Sequence, residues 1–178
     1  MSPVIMFQDK KPKIHKDAYV SPQATLVGDV EVGEFTNIWP GSVIRGDFAK
    51  VQIGAYTNIQ DGCVVHAHTA DTPVIVGNFV TVGSNVVMHG CYCGDAVVIG
   101  DGVIIYEGVT IGEGAFVSPG SILVQNMVIP PRLTVSGAPA KQIRELSRED
   151  ITKQRERAEI IARVFSKLRR WIPSETAL

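Results

Sequence analysis

The sequence predicts a mainly β fold: a parallel β-helix built from hexapeptide repeats and followed by one C-terminal α-helix. Three observations predict it: an aliphatic residue recurs at every sixth position, glycine often follows that residue, and an amphipathic segment comes after the last repeat. A helix would place apolar residues three and four positions apart, and an ordinary strand would alternate apolar with polar residues. Because neither pattern has a period of six, each hexapeptide is interpreted as a short strand and a corner. Three hexapeptides then make one triangular coil.

The six-residue period extends from Val20 to Val135, with two long interruptions. The leading residues, which are expected to point inward, are Val20, Leu26, Val32, Ile38, Ile44, Ile53, Ile59, Val65, Val76, Val82, Met88, Cys93, Ile99, Ile105, Ile111, Val117, Leu123, Ile129 and Val135. The spacing lengthens to nine between Ile44 and Ile53 and to eleven between Val65 and Val76. Stacked coils accommodate extra residues only as loops at their corners, so both insertions are expected to project outward.

The ends of the repeat set the predicted domain boundaries. Residues 1–18 precede the first coil and are predicted to form an N-terminal cap, and residues 19–140 are predicted to form the β-helix. Glycine and proline in the segment Ser136–Ala140 break the repeat. Residues 141–178 are predicted to contain a helix that packs on the β-helix.

This helix is predicted to begin near Ser147, whose hydroxyl can cap the first turn together with Asp150, three residues later. Its predicted apolar face consists of Ile151, Ala158, Ile161, Val164, Phe165 and Leu168, with Trp171 and Ile172 beyond. Much of the remaining surface is basic, through Arg155, Arg157, Arg163, Lys167, Arg169 and Arg170. A basic amphipathic helix can bind a membrane or a partner, but packing against its own domain is expected here. Pro173 is expected to end the helix.

Composition and charge favour a cytoplasmic protein with no nucleic-acid or membrane partner. The 178 residues carry a formal net charge of −1, and no run of 18 apolar residues predicts a transmembrane span. The first residues lack the pattern of a secretory signal. The three cysteines (Cys63, Cys91 and Cys93) contain no CxxC pair, so reduced thiols are expected in preference to a disulfide or a zinc knot.

The repeat also predicts which polar side chains lie next to each other. The residue after each inward aliphatic points out of the coil, and residues three repeats apart lie on adjacent coils about 4.8 Å apart. This register stacks Arg45, His66, His89 and Tyr106 on one face. Two histidines held at that spacing can share one divalent metal ion, whereas the alternative is a pair of ordinary surface histidines. By the same counting, Gln60 and His66 belong to different faces, so they can meet only around a corner or across an interface.

The sequence resembles the γ-class carbonic anhydrases and their relatives among the hexapeptide-repeat proteins, over residues 15–149. The motifs that carry the resemblance are Ile44-Arg-Gly-Asp47, Thr57-Asn-Ile-Gln-Asp-Gly62, Val64-Val-His66, Val80-Thr-Val-Gly83, His89-Gly-Cys91 and Gly137-Ala-Pro-Ala-Lys141 with Ile143-Arg144. The resemblance implies a left-handed parallel β-helix that assembles as a homotrimer with sites at the subunit boundaries. It also implies a bound Zn²⁺, Fe²⁺ or Co²⁺ that generates hydroxide for reversible CO2 hydration.

The resemblance also implies roles for individual residues. His66 and His89 match the two metal ligands that one subunit supplies. Arg45 and Asp47 match the pair that bridges neighbouring subunits. Gln60 and Asp61 match the residues that orient the metal-bound water, and Asn58 matches a further member of the polar network.

One position departs from the family pattern. The sequence Val82-Gly-Ser84 stands where the family has Val-Gly-His, so Ser84 replaces the ligand that comes from the neighbouring subunit. A serine hydroxyl is a poor zinc ligand, and the metal is therefore expected to bind weakly. A water molecule, His68 or Cys91 are the substitutes that can be envisaged. The acidic proton-shuttle loop of the founding type also has no counterpart, and Gly100-Asp101 stands where the shorter relatives usually have Gly-Met.

Two other functions remain open. A non-catalytic trimeric scaffold or subunit could keep the polar residues of the site after losing the metal. An acyltransferase that uses an acyl-CoA thioester, with His66 or His89 as general base, is compatible with the fold, although a fold alone does not determine function.

Overall fold

A computed structural model describes residues 4–67 and 69–167 of the chain. It contains twenty strands and one α-helix, α1 (Arg148–Ser166). The strands are β1 (Val4–Ile5), β2 (Lys13–Ile14), β3 (Tyr19–Val20), β4 (Thr25–Val32), β5 (Asn37–Ile38), β6 (Val43–Ile53), β7 (Asn58–Ile59), β8 (Val64–His66), β9 (Val74–Val76), β10 (Thr81–Val82), β11 (Val87–His89), β12 (Tyr92–Cys93), β13 (Val98–Ile99), β14 (Ile104–Ile105), β15 (Thr110–Ile111), β16 (Phe116–Val117), β17 (Ile122–Leu123), β18 (Val128–Ile129), β19 (Leu133–Gly137) and β20 (Ala140–Glu145).

The strands form the three faces of a parallel β-helix, which confirms the predicted fold class. Face 1 is the eight-stranded sheet that runs from β3 to β20. Faces 2 and 3 belong to one twelve-stranded sheet, because β4 and β6 each bend around a corner. The residues Val43–Arg45 of β6 pair with β8 on face 2, whereas Val51–Ile53 pair with β9 on face 3. The chain therefore visits faces 1, 2 and 3 in turn on every coil.

The predicted inward residues form the core. All of them are buried except Val20, which lies on the first coil and packs against the core while partly exposed. They also stack in register: on face 2, for example, Ile44 pairs with Val65, Val65 with Met88, and Met88 with Ile105. The six-residue spacing thus predicted both the burial and the pairing of these side chains, because every coil repeats the same corner geometry.

Both insertions lie at the corner between faces 2 and 3, as expected. The first follows Gly46, which pairs with Gly28 where β4 and β6 bend, and exposes Phe48. A Cβ atom on Gly28, which has a φ of +73°, would lie 2.5 Å from the Gly46 carbonyl oxygen. In the second insertion, the Thr72 hydroxyl donates to the carboxylate of Glu107 at 2.6 Å. The corner therefore tolerates extra residues on its outer side while the backbones inside stay in close contact.

The ends of the β-helix are covered by strands that the repeat does not predict. Strands β1 and β2 pair in parallel with β4, and β20 runs antiparallel to β19. These pairings give partners to strand edges of the first and last coils, which otherwise have unpaired backbone groups. The division into a cap, a β-helix and a C-terminal helix stays a prediction, although residues 140–145 add a strand before α1.

The predicted N-terminus of the helix is confirmed. Ser147 is the N-cap, its hydroxyl accepts from the Asp150 backbone N–H at 3.1 Å, and the Asp150 carboxylate accepts from the Ser147 N–H at 2.9 Å. The hydrogen bonds from the Ser147 backbone and hydroxyl lower the pKa of the Asp150 carboxyl group. This reciprocal capping box satisfies two backbone donors that an α-helix leaves free.

The helix packs over face 1 and over the corner between faces 3 and 1, here called the third corner. At this corner a ladder of residues with positive φ runs from coil to coil, namely Phe35, Tyr56, Phe79, Ala96, Gly114 and Arg132. The Arg163 guanidinium lies over Phe35 and Tyr56, 5.5 and 5.4 Å from their ring centroids, and Arg155 lies 5.7 Å from Phe79. Part of the basic surface thus packs on the protein's own aromatic residues, which supports packing against its own domain.

The predicted apolar face of the helix is only partly correct. Ile151 and Ala158 are buried and Phe165 packs on Trp39 with ring centroids 4.6 Å apart, but Val164 is 51% exposed. Ala162, which was not in the predicted set, is fully buried. The small side chain of Ala162 lets the helix approach Asn37, whose side-chain amide donates to the Ala162 carbonyl oxygen at 3.5 Å. Leu168, Trp171, Ile172 and Pro173 lie outside the described residues.

Replacing Gly114 by alanine is expected to destabilise the protein more than replacing Gly102. Both glycines have a φ of +66°, so alanine costs about 1–2 kcal/mol of backbone strain at either position. Only at Gly114 would the new Cβ lie 2.6 Å from Ile151 Cδ1, whereas nothing lies within 4 Å at Gly102. Overpacking should add about 1–3 kcal/mol to the loss in Gly114→Ala. Equal unfolding free energies in urea would contradict the packing of α1 on this corner.

Among the described residues, no helix is both long and apolar enough to cross a lipid bilayer.

Candidate metal centre

The two histidines of the predicted stack end adjacent strands on face 2. His66 is the last residue of β8 and His89 the last residue of β11, and the two residues pair in register. Their ring centroids are 4.7 Å apart and the ring planes meet at 83°. His66 is 8% exposed and His89 is half-buried. The predicted register is therefore confirmed, and it places two imidazoles side by side at the corner between faces 2 and 3.

The surroundings of His66 bear on which ring nitrogen can bind a metal. Nδ1 of His66 lies 3.2 Å from the Ala67 carbonyl oxygen and 3.5 Å from Nη2 of Arg45. Donation to the carbonyl requires a proton on Nδ1, which leaves the lone pair of Nε2 for a metal ion. Donation from Arg45 requires the opposite tautomer. The shorter contact to Ala67 favours the tautomer that metal-binding histidines commonly adopt.

Arg45 introduces a positive charge next to the histidines. It pairs in register with His66, and its Nε lies 3.2 Å from Oδ2 of Asp47. A nearby guanidinium opposes the binding of a metal cation, and the carboxylate of Asp47 offsets part of that charge. The stacking argument predicts the neighbours Arg45, His66 and His89, and the ion pair adds Asp47 to them within one chain.

Tyr106 extends the stack on the side away from Arg45. Its ring lies 6.1 Å from the His89 ring with an interplanar angle of 22°, and the residue is 47% exposed. This position confirms the prediction from the repeat. The exposed phenol forms one edge of the surface around the histidines.

Gln60, Asp61 and Ser84 lie at the opposite edge of face 2, at the corner between faces 1 and 2. Gln60 follows β7 on face 1, and its Oε1 accepts a hydrogen bond from the Ser84 hydroxyl at 3.2 Å. The Ser84 backbone N–H donates to Oδ1 of Asp101 at 2.8 Å. Within one chain, the structure thus separates these residues from the histidines, in agreement with the predicted split between faces. Asp101 is a polar neighbour that sequence reasoning did not assign to the site, although Gly100-Asp101 was recognised as unusual.

Asn58 lies in β7 on face 1, beneath the helix. It is 2% exposed, and its Oδ1 accepts from the indole N–H of Trp39 at 2.8 Å. Trp39 in turn contacts Phe165 of α1. In a single chain, Asn58 therefore supports the helix contact, and the structure does not bring it to the histidines.

His66 and His89 make two candidate ligands in one chain, whereas zinc at a catalytic site normally takes three ligands from protein. Within residues 4–67 and 69–167, no group of three or more His, Cys, Asp or Glu side chains could hold a metal. The proposed substitute Cys91 is a free thiol in the hydrophobic core, and burial raises its pKa to about 12. A thiol packed in the core is poorly placed to act as a ligand, because metals bind the thiolate form. His68 lies outside the described residues.

The other two cysteines are also free and buried, in keeping with the expectation of reduced thiols. Burial raises the pKa of Cys63 to about 11 and that of Cys93 well above its ordinary value. These thiols pack as small apolar side chains.

Comparison with known proteins identifies the family. The family model for the bacterial transferase hexapeptide (six repeats) matches residues 11–46 and 90–125. The chain is 40% identical over 145 residues to a Methanocaldococcus jannaschii protein named "Probable carbonic anhydrase", with 82% of this chain and 91% of that protein covered. It is 39% identical over 148 residues to the mitochondrial "Gamma carbonic anhydrase 2" of Arabidopsis thaliana, with 80% and 53% covered. The chain thus spans about half the length of this plant relative.

A solved structure agrees with this result. A Bacillus cereus protein proposed to be an acetyltransferase superposes with a TM-score of 0.86 at 40% identity, covering 92% of this chain and 96% of that one. The β-helix and the histidine pair define a hexapeptide-repeat protein with a candidate metal site. More specifically, the chain belongs to the γ-class carbonic anhydrase-like family.

Proposed function

We propose that the protein is a carbonic anhydrase-like lyase that interconverts CO2 and bicarbonate at a metal held by His66 and His89. The observation that carries the proposal is the in-register pair of imidazoles, 4.7 Å apart, beside the Arg45–Asp47 ion pair. A bound Zn²⁺, Fe²⁺ or Co²⁺ would lower the pKa of water and supply hydroxide near neutral pH. The Ala67 carbonyl oxygen orients the His66 ring for this role.

We further propose that the site is completed between the subunits of a homotrimer. On face 2 an outward column of aliphatic side chains runs beside the histidine stack, and it consists of Val43, Val64, Val87, Ile104 and Ile122. Val43 is exposed and the others are half-buried. An aliphatic strip next to polar groups is typical of a surface that another subunit covers. In such an assembly Gln60, Asp61 and Ser84 of one copy can lie near the histidines of the next.

In this assembly, the chain's own residues would have different roles at the site. His66 and His89 would hold the ion, Arg45 and Asp47 would set the local charge, and Gln60 and Asp61 of the neighbouring copy would orient water. Ser84 stands at the third-ligand position, so the metal is held weakly. The cytoplasmic location remains a prediction from the sequence.

Ser84→His is expected to tighten metal binding by about 10–100-fold and to raise the rate of CO2 hydration, because a third imidazole joins the pair. Metal content and affinity are measured on protein without a histidine tag, together with CO2 hydration. Ser118→His is the matched control: it adds a histidine at the same corner two coils further along and should change neither quantity. If Ser84→His binds zinc stoichiometrically and is still inactive, a third imidazole ligand is not what CO2 hydration by this chain lacks.

A second candidate function is a non-catalytic trimeric scaffold. The hydrogen bond from the Ser84 hydroxyl to Gln60 favours this function, because it gives the residue at the third-ligand position a structural role. Protein that purifies without metal and keeps its thermal stability in chelator would support this alternative. The similarity to the Bacillus cereus protein favours an acyltransferase as a third candidate, for which thioester turnover is the test.

A further inference from the structure

A basic recess lies at the third corner, where α1 begins. It has a volume of about 300 Å³ and is lined by Arg132, Arg148, Arg155, Glu113 and Thr152, with Pro131 and Ile151 as apolar walls. The recess belongs to the last coils and the helix, whereas the histidines lie at the corner between faces 2 and 3. It is therefore a different site from the candidate metal centre.

The three arginines give the recess an excess of positive charge. Arg155 forms an ion pair with Glu113. In the part of the chain that the structure describes, neither Arg132 nor Arg148 forms an ion pair or a side-chain hydrogen bond. With one acidic side chain against three guanidinium groups, the lining has a formal charge of +2, while the whole chain carries −1. A local positive charge of this kind concentrates anions.

Backbone hydrogen bonds and the helix fix the positions from which the arginine side chains extend. Arg132 lies in the turn between β18 and β19 with a φ of +59°, and its N–H donates to the Glu113 carbonyl oxygen at 2.8 Å. Leu146 donates to the Arg132 carbonyl oxygen at 2.7 Å, which connects this turn to the start of the helix. Arg148 and Arg155 lie seven residues apart and so share one side of α1. The long side chains thus converge from two connected elements.

The position of Arg148 is difficult to explain by stability alone. It is the first helical residue, and the positive end of the helix dipole disfavours a cation there. The acidic residues of the same turn are engaged elsewhere: Glu149 pairs with Lys153, and Asp150 caps the helix with Ser147. A bound anion between Arg148 and Arg132 would turn this unfavourable charge into a favourable one.

We propose that the recess binds a small phosphate monoester. Guanidinium groups bind phosphate through paired N–H donors, and two of them without acidic partners match the double charge of a monoester. A volume of about 300 Å³ lies at the lower end of small-molecule sites, so it admits a phosphate with a small organic group. The apolar walls of Pro131 and Ile151 can contact that group. This inference does not depend on the proposed carbonic anhydrase activity.

Calorimetric titration with inorganic phosphate and with glycerol 3-phosphate, at constant ionic strength, tests the proposal. Saturable binding is expected, with glycerol 3-phosphate tighter than phosphate. Arg132→Gln and Arg148→Gln should each weaken binding about tenfold or more, because each removes a charge-assisted contact. Both side chains are exposed, and thermal melting checks that the variants fold. Arg157→Gln is the matched control: it removes the same charge from the same helix outside the recess and should leave the affinity within about twofold.

Three outcomes would overturn the proposal. The first is an absence of saturable binding, and the second is an equal loss of affinity in Arg157→Gln, which would indicate general charge attraction. The third is binding to phosphatidylcholine vesicles that contain phosphatidic acid, without binding of either soluble probe. That result would indicate that the recess binds a lipid headgroup and not a small soluble phosphate monoester.

Discussion

His66→Ala is expected to lower the affinity for Zn²⁺ by at least about 100-fold and to abolish CO2 hydration. Because each chain supplies only two imidazoles to the proposed site, His66 and His89, removing one leaves a single histidine ligand there. The loss should exceed the effect of changing a residue that merely orients a ligand, which is about 10–100-fold. Zinc affinity is measured by competition with a chromophoric chelator, and activity by the rate of CO2 hydration.

His15→Ala is the control for this experiment. His15 is an exposed histidine between β2 and β3, where its Nδ1 lies 3.8 Å from Oδ2 of Asp17. Its removal should leave zinc affinity and activity unchanged. Because His66 is nearly buried, its replacement can also disturb the fold. Circular dichroism shows whether the variant is folded and so separates loss of metal from loss of fold. Unchanged zinc affinity in a folded His66→Ala protein would show that the metal binds elsewhere.

Ile105→Ala is expected to reduce the free energy of unfolding by about 2–5 kcal/mol. Ile105 is fully buried, and it pairs in register with Met88 on one side and Leu123 on the other. Truncation removes apolar contacts and leaves a cavity within the stack of coils, which cannot collapse without disturbing the strand register. Urea unfolding followed by circular dichroism measures the loss.

The adjacent residue provides a matched control. Ile104 has the same side chain but points outward on face 2 and is half-buried. Ile104→Ala should therefore cost much less stability in one subunit, while weakening assembly if face 2 is covered by another copy. Sedimentation at several protein concentrations separates the two effects. An equal loss of stability in both variants, without a change in assembly, would contradict the inward and outward assignment of the strand.

The polar stack was predictable because it depends only on strand geometry. Arg45, His66, His89 and Tyr106 each follow an inward aliphatic residue, and the same pairing of coils sets their neighbours. The hydrogen bonds of these side chains were harder to predict from the sequence. The contact of His66 with the Ala67 carbonyl oxygen arises from the turn after the strand, and no repeat specifies that turn.

The contacts of Ser84 could not be predicted from the sequence pattern alone. The resemblance to the family identifies it as a departure, but only the structure shows its hydroxyl bonded to Gln60 and its backbone to Asp101. Cys91 is similar: it lies in a repeat of only five residues, from Met88 to Cys93, and the structure shows its side chain in the core. Short repeats that deviate in length change the direction of side chains, so these positions need coordinates.

The β-helix follows from local spacing, because every sixth aliphatic residue meets the same neighbours on the coils before and after it. The capping box of α1 is equally local, since Ser147 and Asp150 lie within one turn. Contacts between segments that are far apart in the sequence do not follow from this local spacing. Three features depend on the angle at which α1 packs back onto the β-helix. They are the packing of α1 on the ladder from Phe35 to Arg132, the burial of Ala162, and the convergence of Arg132 with Arg148. Side-chain packing across the third corner sets that angle, and only the tertiary structure decides it.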